Sequence, residues 1–414
     1  MRIALREVCE FINGGAWSQD EYCEAGIPVL KVSNLQKESI DFENIDFISE
    51  NSLSKYYKNK LFAGDLVIAT VGSHPNLVNS AAGRTIIIPT AAEGYLLNQN
   101  AVCVRTSNPE VLDQGFLAYF GKSFYFQHYI QQRGIGAASQ MRIAIDAIKN
   151  FEISLPPPPF QRRIASVLSC YDALLENYQQ QVKALEGLAN ELYREWFVRG
   201  RCPGAEAEPE SELPAGWQRV KFTEVISVQS GGTPQTSQPN YWDGDVYWFS
   251  PGDVENSYYV FTTDKTITEE GLRNCNSKLY PVDTVVITAR GTVGKCVLLG
   301  RPMAINQSNY ALIGRSVSQY FTFFKTLEIA EGLQKEANGA VFSTITTDNF
   351  ERAEILVPDA DSLAAFDKLV APMFGAIRNY LEQSATLRTT RDALLPRLLS
   401  GQLTVHAAET TLAA

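Results

Sequence analysis

Residues 160–197 read FQRRIASVLSCYDALLENYQQQVKALEGLANELYREWF, and their periodicity sets the architecture. Apart from Gly187 the stretch holds neither glycine nor proline. Apolar side chains recur at Ile164, Leu168, Tyr171, Leu175, Tyr178, Val182, Leu185, Ala189, Leu192 and Trp196. The steps alternate between four and three residues without a break, which is the period of a coiled-coil seam. At 1.5 Å per residue a helix this long spans roughly 55–60 Å. No single globular core covers that length, so the seam needs a partner helix.

The partner lies in the same chain. Shifted by 202 residues, the seam reads Phe366, Val370, Met373, Ile377, Tyr380, Ser384, Leu387, Arg391, Leu394 and Leu398. Ser384 and Arg391 interrupt the apolar stripe, and either fix the register or face another subunit. Pro372 and Gly375 fall inside this second helix, which predicts a kink or a late start. The competing reading is two separate amphipathic helices, each on its own domain, but each stripe runs too long for one domain face.

The duplication extends beyond the helices. Gly14-Gly15 matches Gly231-Gly232, and Asn98-Gln99 matches Asn306-Gln307. Residues 61–70 (LFAGDLVIAT) match 279–288 (LYPVDTVVIT), pairing Asp65 with Asp283 and Thr70 with Thr288. Ile143 to Asp146 matches Ile345 to Asp348, and Glu152-Ile153 with Pro156 matches Glu354-Ile355 with Pro358. A repeat of about 200 residues is a whole domain plus a helix, far longer than a solenoid unit.

Each globular half alternates short β-type runs with turn residues. Strands are expected at 29–32, 66–70, 85–88 and 101–104, then at 247–249, 284–288, 295–299 and 310–313. Helices are expected at 111–130 and 320–335. The fold class is α+β: two similar globular domains separated by a long intramolecular antiparallel coiled coil. The expected boundaries are a first domain at 1–156, a first long helix at 157–199 and an acidic, proline-punctuated linker at 200–214. A second domain at 215–358, a second helix at 359–400 and a frayed tail at 401–414 complete the chain.

Composition narrows the function classes. The 414 residues are 45% hydrophobic and 20% charged, as in an ordinary globular chain. No apolar run reaches the roughly 18 residues of a membrane span, and the start lacks a signal-peptide segment, so a cytoplasmic protein is expected. The seven cysteines form no CxxC pair, and the three histidines, His74, His128 and His406, lie at no ligand spacing. Reduced thiols and no metal site are expected. The net charge of −10 argues against nucleic acid unless a basic patch is local or partners supply charge.

Polar loops after the strands carry the candidate contacts. Ala289-Arg290-Gly291-Thr292-Val293-Gly294-Lys295 offers Arg290, Thr292, Lys295 and, around Gly291, exposed backbone amides for phosphates and base edges. It is not a nucleotide-binding loop: the spacing is G-x-x-G-K-C, and the Gly-Lys opens a strand. Lys31, Ser33 and Asn34 correspond to the loop with Ser250. Arg133, Ser139, Gln140 and Arg142 lie in a Gly-rich loop that corresponds to Ser343 and Thr344. Thr70, Ser73, His74, Thr233 and Gln307 complete the set. Simple turn chemistry accounts for the same residues as an alternative.

With these loops and helices together, the chain resembles the specificity subunits of Type I restriction-modification systems. The order domain, long helix, domain, long helix is similar. So are the proline-rich helix entry Leu155-Pro156-Pro157-Pro158-Pro159-Phe160-Gln161-Arg162-Arg163-Ile164 and the ending Leu192-Tyr193-Arg194-Glu195-Trp196-Phe197-Val198. Arg391-Asp392-Ala393-Leu394-Leu395-Pro396-Arg397-Leu398-Leu399-Ser400-Gly401 resembles the second-helix ending. Ser230-Gly231-Gly232-Thr233-Pro234, with Tyr241-Trp242 and Tyr247-Trp248-Phe249-Ser250, resembles the opening of a target-recognition domain. The first half departs: Ala16-Trp17 succeeds its glycine pair, and Val71-Gly72-Ser73-His74 replaces Arg290-Gly291 and its neighbours.

The resemblance implies a non-catalytic subunit in which each target-recognition domain reads one half of an asymmetric, interrupted site on double-stranded DNA. It implies docking of two methyltransferase subunits and of motor-nuclease subunits. S-adenosylmethionine, ATP and Mg would belong to those partners, and the chain would have no cofactor of its own. Two other classes compete with this one. A methyltransferase or nuclease lacks support, because no Asp/Asn-Pro-Pro-Tyr/Phe motif or Gly-rich cofactor loop is present. A purely structural coiled-coil adaptor would share the helices but not the polar loops.

Overall fold

The computed structural model describes residues 2–36, 39–73, 81–137, 140–204, 213–336 and 344–403. The chain divides into two compact units, one of Met1–Leu174 with Leu387–Ala414 and one of Leu175–Thr386. Each unit holds one globular domain and a stretch of both long helices.

In the first unit a four-stranded sheet runs in the order Cys9–Asn13, Ala101–Thr106, Leu66–Ala69 and Thr85–Ile87. Leu66–Ala69 is buried on both faces, which is why it reads as an unbroken apolar run. A second sheet orders Tyr22–Cys23, Asp46–Ile48, Ile27–Leu30 and Leu96–Leu97. Arg2–Ala4 pairs with Glu152–Ser154 and ties the domain's start to its end. The helix expected over 111–130 is two helices, Gln114–Lys122 and Phe124–Gln131. Ser123 separates them, because its Oγ accepts from Phe126 N (3.3 Å) and starts the second.

The second unit repeats this plan. Its main sheet orders Ile226–Ser230, Asn309–Gly314, Val285–Thr288, Cys296–Leu299 and Tyr259–Val260. A three-stranded sheet orders Thr266–Ile267, Trp242–Phe249 and Met303–Ile305. Gln218–Lys221 pairs with Glu354–Val357, and one helix, Gln319–Glu336, replaces the first unit's two. A glutamine braces both units alike. Gln114 accepts from Thr106 N (2.8 Å) and donates to Gly64 O (3.1 Å). Gln319 accepts from Gly314 N (2.7 Å) and donates to Asp283 O (3.1 Å).

Strand registers fix which residues correspond. Asn13 faces Val102 as Ser230 faces Tyr310, so Ala101–Thr106 aligns with Asn309–Gly314. In that frame Ala69 faces Ala101, while Thr288 faces Asn309. Thr288 therefore corresponds to Ala69, and Asp283 (φ 64°) to Gly64 (φ 84°). The sequence match of Thr70 with Thr288 and Asp65 with Asp283 is one residue out of register. A strand buried on both faces has no polar alternation to set its phase.

The long helices are Pro158–Tyr193, extended by a π turn at Arg194–Val198, and Ala360–Leu399. Prolines in the first turn cost nothing, since those amides have no helical partner. The second helix shows no late start: it begins at Ala360 and stays helical through Pro372 and Gly375. In the first unit Ile164, Leu168 and Tyr171 share a core with Leu394 and Leu398, with Leu387 packed against it. In the second unit Tyr178 meets Tyr380 (ring centroids 5.0 Å) and Tyr193 meets Phe366 (6.3 Å), so the pair is antiparallel. Val182, Val370 and Ile377 are buried there, and Leu175 is buried too, whereas Leu185, Leu192 and Met373 are half-buried. Phe374, the neighbour of Met373, is the fully buried side chain. Arg391 is satisfied inside the first unit, donating to Asp172 Oδ1 at 2.6 Å.

Among the described residues no helix is long and apolar enough to cross a membrane. None of their His, Cys, Asp and Glu side chains group as a metal site.

Candidate nucleic-acid interface

In the second unit several strand ends meet through backbone bonds. Gly231 lies against the Asn306 carbonyl so closely that a Cβ would overlap it. Gly232 N donates to Ile305 O (2.9 Å), and Trp248 Nε1 donates to Gly232 O (3.0 Å). The glycine pair thus lets the 231–234 segment lie on the 305–307 turn. Thr233 Oγ1 donates to Gln307 Oε1 there, and Gln307 is exposed. Asn306 N donates to Phe249 O (2.9 Å), which brings in the segment with Ser250.

The 289–295 loop joins the same cluster. Ala289 N donates to Ser308 O (2.7 Å), and Ile345 N donates to Ala289 O (2.9 Å), so Thr344 arrives beside it. Thr288, fully buried, closes the loop by accepting from Lys295 N (3.0 Å). Thr292 Oγ1 donates to Pro251 O (3.2 Å). Gly291 and Gly294 both have φ of 82°, which favours glycine at the two bends. Arg290 and Lys295 are exposed and have no ion-pair partner among the described residues. Thr233, Ser250, Arg290, Gly291, Thr292, Gln307 and Thr344 are therefore neighbours in one loop cluster, with Lys295 at its base.

Ser250 is partly spent on structure: its N and Oγ both donate to Asp253 Oδ2 (2.7 and 2.8 Å). Asn34 plays the Asp253 role in the first unit. It is buried, accepts from Lys31 N (2.9 Å) and donates to Asn44 O (2.9 Å). Lys31 pairs with Asp46 and lies 4.6 Å over the Tyr22 ring. Partial burial opposes its charge, but those hydrogen bonds win and hold the ammonium above its ordinary value. Ser33 is exposed.

The first unit repeats the glycine contact, with Gly14 against the Asn98 carbonyl and Gly15 N donating to Leu97 O (2.7 Å). Beyond the glycine pair the two units differ. Trp17 packs edge-on against Tyr56 (5.2 Å) and donates to Tyr22 OH (2.9 Å). Thr70 is buried, and its carbonyl accepts from Ile143 N (2.8 Å). This seats a small antiparallel sheet of Gly134–Ala137, Gln140–Ile143 and Val71–Gly72, with Ser73 at its edge. Gln140 and Arg142 are exposed while Met141 and Ile143 are buried. Arg133 lies 3.5 Å over the Tyr129 ring. His74, Ser139 and Ser343 lie outside the described residues. Sequence reading passed over Ile135, the exposed apolar side chain of this ribbon; its only signal is a lone Ile between two glycines.

Each unit therefore carries, on the same scaffold, exposed Arg and Gln side chains, joined in the second unit by Thr292, and these are types that contact phosphates and base edges. The comparisons with known proteins agree on one family. The model of the Type I restriction modification DNA specificity domain matches residues 1–186 and again 214–371. The Type I restriction enzyme MjaIX specificity subunit of Methanocaldococcus jannaschii is 26% identical over 322 residues, 72% of this chain and 74% of that one. The putative Type I restriction enzyme MjaX specificity subunit of the same organism is 21% identical over 97% of this chain and 93% of its own length. The crystal structure of a Type-I restriction-modification system S subunit from M. genitalium shares the fold, with a TM-score of 0.59 at 14% identity over 96% of this chain and 95% of that one. With one family model matching both halves, the chain belongs to the Type I restriction-modification DNA specificity subunits.

Proposed function

We propose that this subunit reads an asymmetric, interrupted DNA sequence, one half with each domain, and that the paired long helices set the distance between the halves. The observation that carries the reading is the duplication with divergence. Both units share the glycine contact, the glutamine brace and the order of four strands in the main sheet, yet expose different side chains. Two readers on one scaffold with unlike contact residues suit two unlike half-sites. Joined in one chain, they bind at high effective concentration.

The chain is a recognition component of a larger enzyme, not its catalyst. Its acidity, −10 overall, sets a task for the rest of the complex. Phosphate contacts supply most non-specific affinity, and the exposed Arg133, Arg142, Arg290 and Lys295 are few. Two docked methyltransferase subunits would add positive surface, and with S-adenosylmethionine would modify adenine. Motor-nuclease subunits with ATP and Mg would cleave unmodified DNA.

A spacer series tests the reading. Half-site centres should lie about one helical turn apart or slightly more, on one face of the duplex. Purified complex should bind the cognate duplex tightly and lose sequence-specific binding when one base pair is added to or removed from the spacer. Equal binding across the series would remove the ruler.

A further inference from the structure

The ribbon of the first domain carries an apolar side chain that the fold does not use. Ile135 is 76% exposed. Its strand is Gly134-Ile135-Gly136-Ala137, so it presents one large side chain and nothing else of size. Close approach holds both glycines to the sheet: a Cβ on Gly136 would strike the Gln140 carbonyl, and one on Gly134 would have to push aside the Met141 side chain. The inner face of the ribbon is therefore pressed flat, and Ile135 points the other way.

Its nearest neighbours on that outer face are polar and cationic, with the half-buried Val71 beyond Arg142. Ile135 pairs directly with Arg142 across the ribbon, and Gln140 lies two residues along the same exposed face. Arg133 precedes it, held against the Tyr129 ring. No acidic residue occurs from 133 to 143. Arg142 has no ion-pair partner among the described residues. A local cationic face on an acidic chain is complementary to a polyanion, and the Gly134–Ala137 and Gln140–Ile143 strands, at the open edge of this small sheet, form a hairpin of the kind the major groove of B-DNA admits. The apolar feature in that groove is the C5 methyl group of thymine.

We infer that Ile135 reads a thymine methyl group within the half-site of the first domain, flanked by polar contacts from Gln140 and Arg142. This rests on the reading of that domain as a DNA reader. It assigns one base type to one residue, which the family resemblance does not.

The test uses the complex of this chain with its methyltransferase subunit. Once the recognised motif is mapped, each thymine in it is replaced singly by deoxyuridine, which removes the methyl group alone. At one thymine the unaltered complex should bind about fourfold more weakly, the factor for burying one methyl-sized group. The Ile135→Ala complex should show no such penalty there, and the exposed position should leave its melting temperature unchanged. A methyl penalty that persists in Ile135→Ala, or none at any thymine, overturns the assignment. Binding without any sequence preference would instead overturn the reading of the domain as a DNA reader.

Discussion

At residue 172 the first long helix carries an aspartate, and at the matching place of the second helix stands Phe374. Arg391 is matched by Ala189, and Tyr119, counted from the bracing glutamines, by Phe324. In the first unit Asp172 accepts from Tyr119 OH (2.8 Å) and Arg391 Nη1 (2.6 Å), with Lys122 Nζ at 4.0 Å. Burial, and then the Asp172 carboxylate, push the Tyr119 hydroxyl well above its ordinary value, so it stays a donor. In the second unit Phe374 stacks on Tyr320 (4.5 Å) and contacts Phe324 (5.8 Å), and Ala189 is fully buried. One scaffold is thus closed by an ionic knot in one unit and by aromatic packing in the other. The shape of the closure is what the fold requires. The chemistry decides how each responds to loss of a single partner.

The largest effect should come from the aromatic side. Phe374→Ala should destabilise the second unit by about 3–5 kcal/mol, read by denaturant unfolding, because it empties a packed core. A loss under about 1 kcal/mol would mean that the packing is not what closes that unit. Breaking the ionic knot comes next. Arg391→Met leaves Asp172 with only the more distant Lys122 as a cation, and should cost about 1–3 kcal/mol, below the full buried-pair penalty because Lys122 remains and Asp172 keeps some access to water. The triple variant Tyr119→Phe, Asp172→Phe, Arg391→Ala copies the second unit and should recover most of that loss. If it is no more stable than Arg391→Met, the two closures are not interchangeable.

The helix ends sharpen the comparison. Tyr193, Trp196 and Phe197 of the second unit are matched by Leu395, Leu398 and Leu399 in the first. Leu395 and Leu399 line, with Phe120 and Phe151 among others, a cavity of about 980 Å³ in the first unit. Leu399→Phe should stabilise the first unit by about 0.5–2 kcal/mol, with Phe197→Leu moving the second unit the opposite way. The smallest effect is a pH dependence at Glu186, whose counterpart is the exposed Arg388. Burial raises the Glu186 carboxyl above the usual carboxylate range, although Tyr258 N (2.7 Å) and Ser257 Oγ (2.8 Å) donate to it. The folded unit therefore holds this proton more tightly than the unfolded chain. Its stabilising contribution is complete below the unfolded value and is lost as pH rises through the folded one. Glu186→Gln should remove that slope from the second unit's unfolding midpoint.

The helices and the duplication were legible because both leave long-range periodic traces. The seam repeats over many turns, and collinear matches run through both domains. The features that escaped depend on partners in space. Arg391 reads only as a break in a stripe until antiparallel pairing brings Asp172 opposite it. The 66–69 strand slips by one because neither face is polar. Met373 reads as a seam residue, yet Phe374 is the one buried, since a seam assigned every 3.5 residues drifts against a helix of 3.6. In the candidate interface the strand-end loops were found by their residue types, but those types do not separate outward side chains from structural ones. Asn34 turns inward to hold its loop, and Lys31 is engaged by Asp46.

The central claim is that two diverged copies of one reader, fixed in a single chain, read two unlike half-sites at a set distance. Genome-wide mapping of methylated adenines, in a host carrying this chain with its methyltransferase subunit, tests it directly. The expected result is a single motif with two different specified halves and an unspecified spacer of constant length. A continuous motif, two identical halves, or a spacer of varying length would contradict it.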